Sequence, residues 1–185
     1  MELCMRELGL TTKHVADPTM LLTAEDYKVL IKNTSKSSGN LLCYVLDMTE
    51  EKQQEINAIL KEYNLKPFTV NANVEAEWDS DKVSVQPPVE QWLRGFMDAE
   101  LVVTDSFHAC VFSILFHKPF VVVGNKGRGL TRVKSLLKMF GLEKALYSCN
   151  GNKNIDLNCI GIDWEDVNRR LQNLRKHSFN LLNKV

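Results

Sequence analysis

Two segments of this sequence combine residue types that can hold and protonate a small anion. The first is Thr104-Asp105-Ser106-Phe107-His108, which leads out of one apolar run and into another. A histidine in the first turn of a helix, two residues beyond Ser106, is placed to act as general acid or base, or to donate to a bound anion. The second is Gly124-Asn125-Lys126-Gly127-Arg128-Gly129, which follows the next apolar run. Glycines let the backbone approach a ligand closely, and arginine grips carboxylate or phosphate in bidentate fashion. Residues 106–142 contain no aspartate or glutamate, yet they carry Lys118, Lys126, Arg128, Arg132, Lys134 and Lys138. Helix-terminal N–H groups add about 0.3–1 kcal/mol for an anion when exposed and up to ~2 kcal/mol when partly buried. The expected site therefore has His108 as the catalytic group, with Thr104, Asp105, Ser106, Asn125, Arg128 and Arg132 holding the anion.

Each residue has a plainer reading beside it. Lys134 and Lys138 fit a solvated helix face, Arg128 between glycines fits a ligand, and Arg132 fits either. Asp105 orients its loop or His108 rather than acting as base, because a second buried charge beside an anion is costly. His117 suits the negative end of its helix, and His14 and His177 are peripheral. Cys110 reads as a small buried hydrophobe. Trp92, at helical spacing with Val89 and Phe96, reads as core rather than as a sugar-stacking platform. No GxGxxG follows the first strand, Gly124-Asn125-Lys126-Gly127 is not an NTPase phosphate loop, and no histidine, cysteine and aspartate group has metal-ligand spacing.

These residues need a scaffold, and the order of elements supplies it. Leu41-Leu42-Cys43-Tyr44-Val45-Leu46 reads as a buried strand. Thr49 caps a helix of about four turns with Ile56, Ile59, Leu60 and Tyr63 at helical spacing. Pro67 opens a strand at Phe68-Thr69-Val70, and the acidic stretch 75–81 reads as a surface loop. A helix follows Pro87-Pro88, then a strand at Leu101-Val102-Val103-Thr104, a helix over 106–117, and a strand at Phe120-Val121-Val122-Val123. Thr131 caps a helix that Gly141 ends, and Asp163 caps the last one. Continuous apolar strands alternating with helices predict an α/β fold: a doubly wound, Rossmann-like parallel sheet with helices on both faces. Residues 1–40 fit less well and read as a peripheral segment on the sheet edge, with a turn at Asp17-Pro18 and a short helix from Thr23.

Composition sets the outer limits. At 185 residues, 44% hydrophobic and 25% charged, the chain suits a single globular domain spanning 1–185 and excludes a disordered or fibrous one. Lysine plus arginine balances aspartate plus glutamate at 23 each, against a globally basic nucleic-acid binder. No apolar run approaches the ~18 residues of a membrane span. The start lacks a secretory pattern, and five cysteines with no CxxC pair suggest reduced thiols and a cytoplasmic location.

The motifs also resemble a known family. Pro87-Pro88-Val89-Glu90-Gln91-Trp92-Leu93, Asp98-Ala99 and Val102-Val103-Thr104-Asp105-Ser106-Phe107-His108 are similar to the polysaccharide pyruvyl transferases. The likeness continues through Lys118-Pro119-Phe120, Gly124-Asn125-Lys126, Arg128-Gly129-Leu130-Thr131-Arg132, Leu136-Leu137 and Phe140-Gly141-Leu142, with Asp17-Pro18-Thr19 upstream. Ala109 stands where the family usually has glycine after the histidine. The resemblance implies transfer of a pyruvyl group from phosphoenolpyruvate to two hydroxyls of a sugar in a cell-surface polysaccharide precursor of a bacterial cell. The product is a cyclic ketal, with phosphate released and no further cofactor. Family members resemble the two-lobed glycosyltransferase-B architecture and are about twice as long, so the chain is expected to be a C-terminal, donor-binding lobe. Its N-terminal lobe would lie ahead of residue 1, and the fragment alone would be inactive or self-associating. Two other functions stay open: a catalytically silent module binding an anion or partner, and a lobe of a sugar-nucleotide glycosyltransferase.

Overall fold

The computed structural model describes residues 6–71, 73–78, 81–85, 87–124, 130–147 and 161–183, with backbone course only for 73–85. In chain order the elements are a 3-10 turn Pro18–Leu21, α1 (Ala24–Lys28), β1 (Leu41–Tyr44), α2 (Glu50–Tyr63), β2 (Pro67–Phe68), β3 (Asn73–Trp78) and β4 (Asp81–Val85). These are followed by α3 (Val89–Asp98), β5 (Leu101–Thr104), α4 (Phe107–Leu115), β6 (Phe120–Val123), α5 (Leu130–Phe140), a 3-10 turn Glu143–Ala145, β7 (Leu146–Tyr147) and α6 (Trp164–Leu182).

Local chemistry explains the helix starts. Thr23 and Asp26 form a reciprocal capping box at α1, the Thr49 hydroxyl accepts from Lys52 N–H at α2, and Asp163 accepts from Glu165 and Asp166 N–H at α6. Helix α5 begins at Leu130, so Thr131 lies inside it rather than capping it; Gly141, at φ +70°, ends it as expected.

Five parallel strands form one sheet in the order β2-β1-β5-β6-β7. The chain winds from β1 outward to β2, then returns across β1 to β5 and proceeds to β6 and β7. Right-handed crossovers in opposite directions place helices on opposite faces. Accordingly α2 brings Ile56 and Ile59 against Leu41, Leu101, Val103, Val121 and Val123 on one face. Helices α3, α4, α5 and α6 cover Leu42, Val102, Phe120 and Val122 on the other. Both faces are dry, which is why the strands read as unbroken apolar runs. This is the expected doubly wound, Rossmann-like α/β arrangement.

Two strand expectations change. Strand β2 is only Pro67–Phe68, and the acidic stretch taken for a loop is part of an antiparallel hairpin, β3 with β4, outside the main sheet. Its sequence alternates Val74, Ala76 and Trp78 with Glu75 and Glu77, then Val83 and Val85 with Lys82 and Ser84. That is a strand period, hidden beneath a polar composition. Trp92 packs its ring 4.5 Å from Phe96 and 4.9 Å from Phe112, in the core as expected.

The N-terminal segment contributes more than a peripheral cover. Ala16, Met20 and Ile31 join the larger core, and Met20 is 1% exposed. Helix α6 fastens this segment: Arg175 Nε donates to Met20 O at 2.6 Å, its Nη2 donates to Leu22 O, and Ser178 Oγ accepts from Ala16 N at 2.9 Å. Among the described residues no helix is long and apolar enough to cross a membrane.

Asp98 anchors the approach to β1. Its carboxylate accepts from Arg94 Nε at 2.9 Å and from Ser37 N at 2.7 Å. Burial would push this carboxyl up, but the Arg94 and Ser37 hydrogen bonds outweigh it and hold the group below the usual carboxylate range. The bonds therefore contribute stability above the unfolded-state pKa, and that contribution is lost as pH falls through the lower folded value. Urea unfolding of Asp98→Asn should show a smaller loss of stability than wild type between neutral pH and about pH 3. Met20→Ala should cost about 2–5 kcal/mol in the same assay; a change within the surface range of about 0.5 kcal/mol would mean that the segment is a loose cover.

Candidate functional site

The winding direction reverses between β1 and β5, and the crevice outside their carboxyl ends is where ligands of such sheets bind. Two adjacent loops must hold still there. Thr104 Oγ1 donates to Tyr44 O at 2.6 Å and accepts from Ser106 N at 3.0 Å, so the ends of the two strands are joined. The Asp105 carboxylate accepts from Leu46 N at 2.7 Å, from Asp47 N at 3.1 Å and from Lys52 Nζ at 2.9 Å. Lys52 Nζ also donates to Asp47 O at 2.8 Å. The side chains of Lys52 and Asp105 are 6% and 0% exposed.

The sequence assigns Thr104 and Asp105 to the ligand, whereas the fold turns both inward. Their hydrogen bonds run to the end of β1, the loop after it, Lys52 of α2 and the N-cap of α4, so they position the site rather than face it. Asp105 orients its loop, the role weighed for it above.

Ser106 is the N-cap of α4 and makes no side-chain capping bond. The first-turn N–H groups of this nine-residue helix therefore receive no capping bond from the Ser106 side chain, an arrangement that favours an anion. His108 stands in that turn with its side chain 53% exposed, and its Nε2 lies 3.7 Å from Asp17 Oδ2, within ion-pair distance when the ring is protonated. Asp17 is itself held, since its Oδ1 accepts from Thr19 N at 3.0 Å and from Thr19 Oγ1 at 2.6 Å. Phe107 links the next cation. Its ring is 5.4 Å from that of His108, and the Arg132 guanidinium carbon lies 4.3 Å from its centroid. Beside this ring opens a cleft of about 440 Å³, with His14, Asp17, Thr131, Arg132 and Ser135 on its polar side and Met20, Leu136 and Met139 on its apolar side.

His108 and Arg132 each lie against the Phe107 ring; Arg132 stands in the wall of the cleft, Ser106 and His108 stand at the start of α4, and Lys134 and Lys138 are exposed along α5 as a solvated face. Lys118 sits before β6 at the opposite end of the sheet, where burial lowers its pKa. The expectations for Asn125 and Arg128 fall on residues outside those described. Cys110 is fully buried, and burial pushes its thiol up, so it packs as a hydrophobe. His117 adopts φ +52° after α4, with Nε2 2.8 Å from Asn168 Oδ1 and its ring against Trp164.

Sequence reasoning missed Asp17, Lys52 and Phe107 as site residues. Asp17 was legible as a turn, and Lys52 only as an ordinary residue of an amphipathic helix. Removing one partner of a buried pair leaves the other charge uncompensated, at a cost of about 3–5 kcal/mol. Lys52→Met and Asp105→Ala should each destabilise on that scale. The double variant should lose less than the sum of the two by 0.5–3 kcal/mol or so, the range of directly coupled residues; additive costs in urea unfolding would show the pair to be independent.

Comparison with known proteins adds one finding. Searches of curated proteins and of solved structures returned no match. The sequence model of the family described as polysaccharide pyruvyl transferase matches residues 1–127 of the 185, a stretch that includes Asp17, Lys52, Ser106 and His108 and ends before Arg128 and Arg132. With more than half its length matched, from the Asp17 turn through the β5–α4 crevice and β6, this chain belongs to the polysaccharide pyruvyl transferase family.

Proposed function

We propose that the chain is the donor-binding lobe of a pyruvyl transferase that takes phosphoenolpyruvate and forms a cyclic ketal on two hydroxyls of a saccharide. The observation that carries this reading is that His108 and Arg132 both lie against Phe107, at the start of α4, where Ser106 makes no side-chain capping bond. Phosphoenolpyruvate carries a carboxylate and a phosphate on a three-carbon frame. Ser106 and the first-turn N–H groups of α4 hold one anionic end, and Arg132 holds the other.

The chemistry needs one positioned proton. His108 as imidazolium gives its proton to the methylene carbon, and the adjacent carbon becomes an oxocarbenium-like centre. A first sugar hydroxyl attacks that centre and its proton returns to the imidazole. Phosphate then leaves, the second hydroxyl adds, and its proton departs with the phosphate. Asp17, 3.7 Å away, orients the ring. A positioned acid contributes about 10²–10⁴-fold.

Calorimetric titration of phosphoenolpyruvate into the chain should give a Kd in the micromolar to millimolar range, weakened at least fivefold in Arg132→Ala. Tighter binding of a nucleotide sugar would move the assignment to a glycosyltransferase lobe. In an assay of phosphate release with a saccharide acceptor and a longer parent protein, His108→Gln should lower turnover about a hundredfold or more while thermal unfolding is unchanged. Turnover near that of wild type would remove His108 as the acid.

A further inference from the structure

A second cleft lies away from the cationic one. It has a volume of about 700 Å³ and runs between segment 33–38, the end of β2 and the start of α3. Its chemistry is the reverse of that around Arg132. Asn33, Thr34, Ser35, Ser38 and Gln91 line it, and none of these side chains hydrogen-bonds to another described residue. Hydroxyls and amides both donate and accept, so together they suit a ligand that does the same. Phe68 and Pro88 supply an apolar face in the same wall.

Charge excludes an anion as the preferred occupant. Lys36 and Glu90 both line the cleft, so neither sign prevails. Glu90 also stands in the first turn of α3 and already complements the positive end of that helix.

The walls are built and held. Arg94 bonds Asp98 through Nε and reaches Thr34 O at 3.5 Å, while Asp98 accepts from Ser37 N, so the polar segment is tied to α3 at two points. Gly95 lets α3 lie directly against the chain leaving β2, since a Cβ there would come 2.8 Å from Val70 Cγ1. A fixed, neutral, hydroxyl-lined groove with one aromatic wall matches the surface of a pyranose, which offers hydroxyls around its rim and C–H groups on its face.

We propose that this groove is a saccharide-binding site that takes a neutral hexose unit of a glycan chain. It rests on the pyruvyl transferase reading only in making that glycan the acceptor; sugar binding itself stands on the groove. The anionic donor and a non-reacting hexose of the acceptor glycan then occupy separate clefts, while the reacting sugar of that glycan reaches the donor.

The test is amide NMR of the 185-residue chain titrated with maltotriose, cellotriose and β-1,4-galactotriose, each to 20 mM. At least one should shift the amides of 33–38, Thr69 and Gln91 with a millimolar Kd. Thr34→Ala/Gln91→Ala should weaken that Kd at least fivefold while amides elsewhere keep their positions. Absence of shifts with all three sugars, shifts confined to other surfaces, or an unchanged Kd in the variant would each overturn the proposal. Phosphoenolpyruvate titrated into the same samples separates the two readings. Donor binding without sugar binding removes the groove alone, and sugar binding without donor binding removes the donor assignment alone.

Discussion

The Asp105 carboxylate and the Lys52 ammonium meet where β1 and β5 part, and the geometry of the crevice depends on that contact. A doubly wound sheet sends its two central loops in opposite directions, so nothing in the strand ladder holds them together beyond Tyr44 and Thr104. Asp105 spans the gap by accepting from two backbone N–H groups of one loop while belonging to the other. Three donors on one carboxylate are what make its burial tolerable, because charge withdrawn from water costs several kcal/mol per ion unless hydrogen bonds replace the lost hydration. Ser106 and His108 follow Asp105 immediately in the chain. The pair therefore sets where α4 begins, and through it where the imidazole stands.

Much of this was legible in the residues because it is local. Apolar runs at 41–46, 101–104 and 120–123 mark strands buried on both faces, and Thr49 and Asp163 each cap the helix that follows. Ser106 and His108 could be placed because a polar triplet between an apolar strand and an apolar helix has one position at the top of a parallel sheet. The misreadings have physical causes. At 75–81 acidic composition masked an alternation of period two, and β2 and β7 are too short to carry a pattern. Lys52 and Asp105 are 53 residues apart, and no local signature announces an ion pair that only the crossover of α2 brings about.

The N-terminal segment shows the same limit from another side. A turn and a short helix are legible there but not their place, because the place is supplied by α6. Ala16 N meets Ser178 Oγ from 162 residues later in the chain, and Arg175 takes two carbonyls of the same segment. Asp17 is thereby delivered to His108. One wall of the cationic cleft is thus made by the N-terminal segment together with Leu174 of α6.

The two clefts offer unlike chemistry on the same face of the sheet. Both are bounded by a helix start on the same face of the sheet, so backbone polarity alone would give them the same preference for anions. Side chains break that equivalence. At α4 the first turn carries no acid, the N-cap side chain makes no capping bond, and Arg132 from the neighbouring helix adds positive charge in a cleft that also holds Asp17. At α3 the proline cap offers no hydroxyl, Glu90 fills the positive end, and the facing segment contributes neutral hydroxyls and amides. In the second cleft Glu90 stands at the point where the α3 backbone would favour an anion, and Lys36 balances it. Both walls are held by buried or half-buried carboxylates, segment 33–38 through Asp98 and the β1–β5 crevice through Asp105.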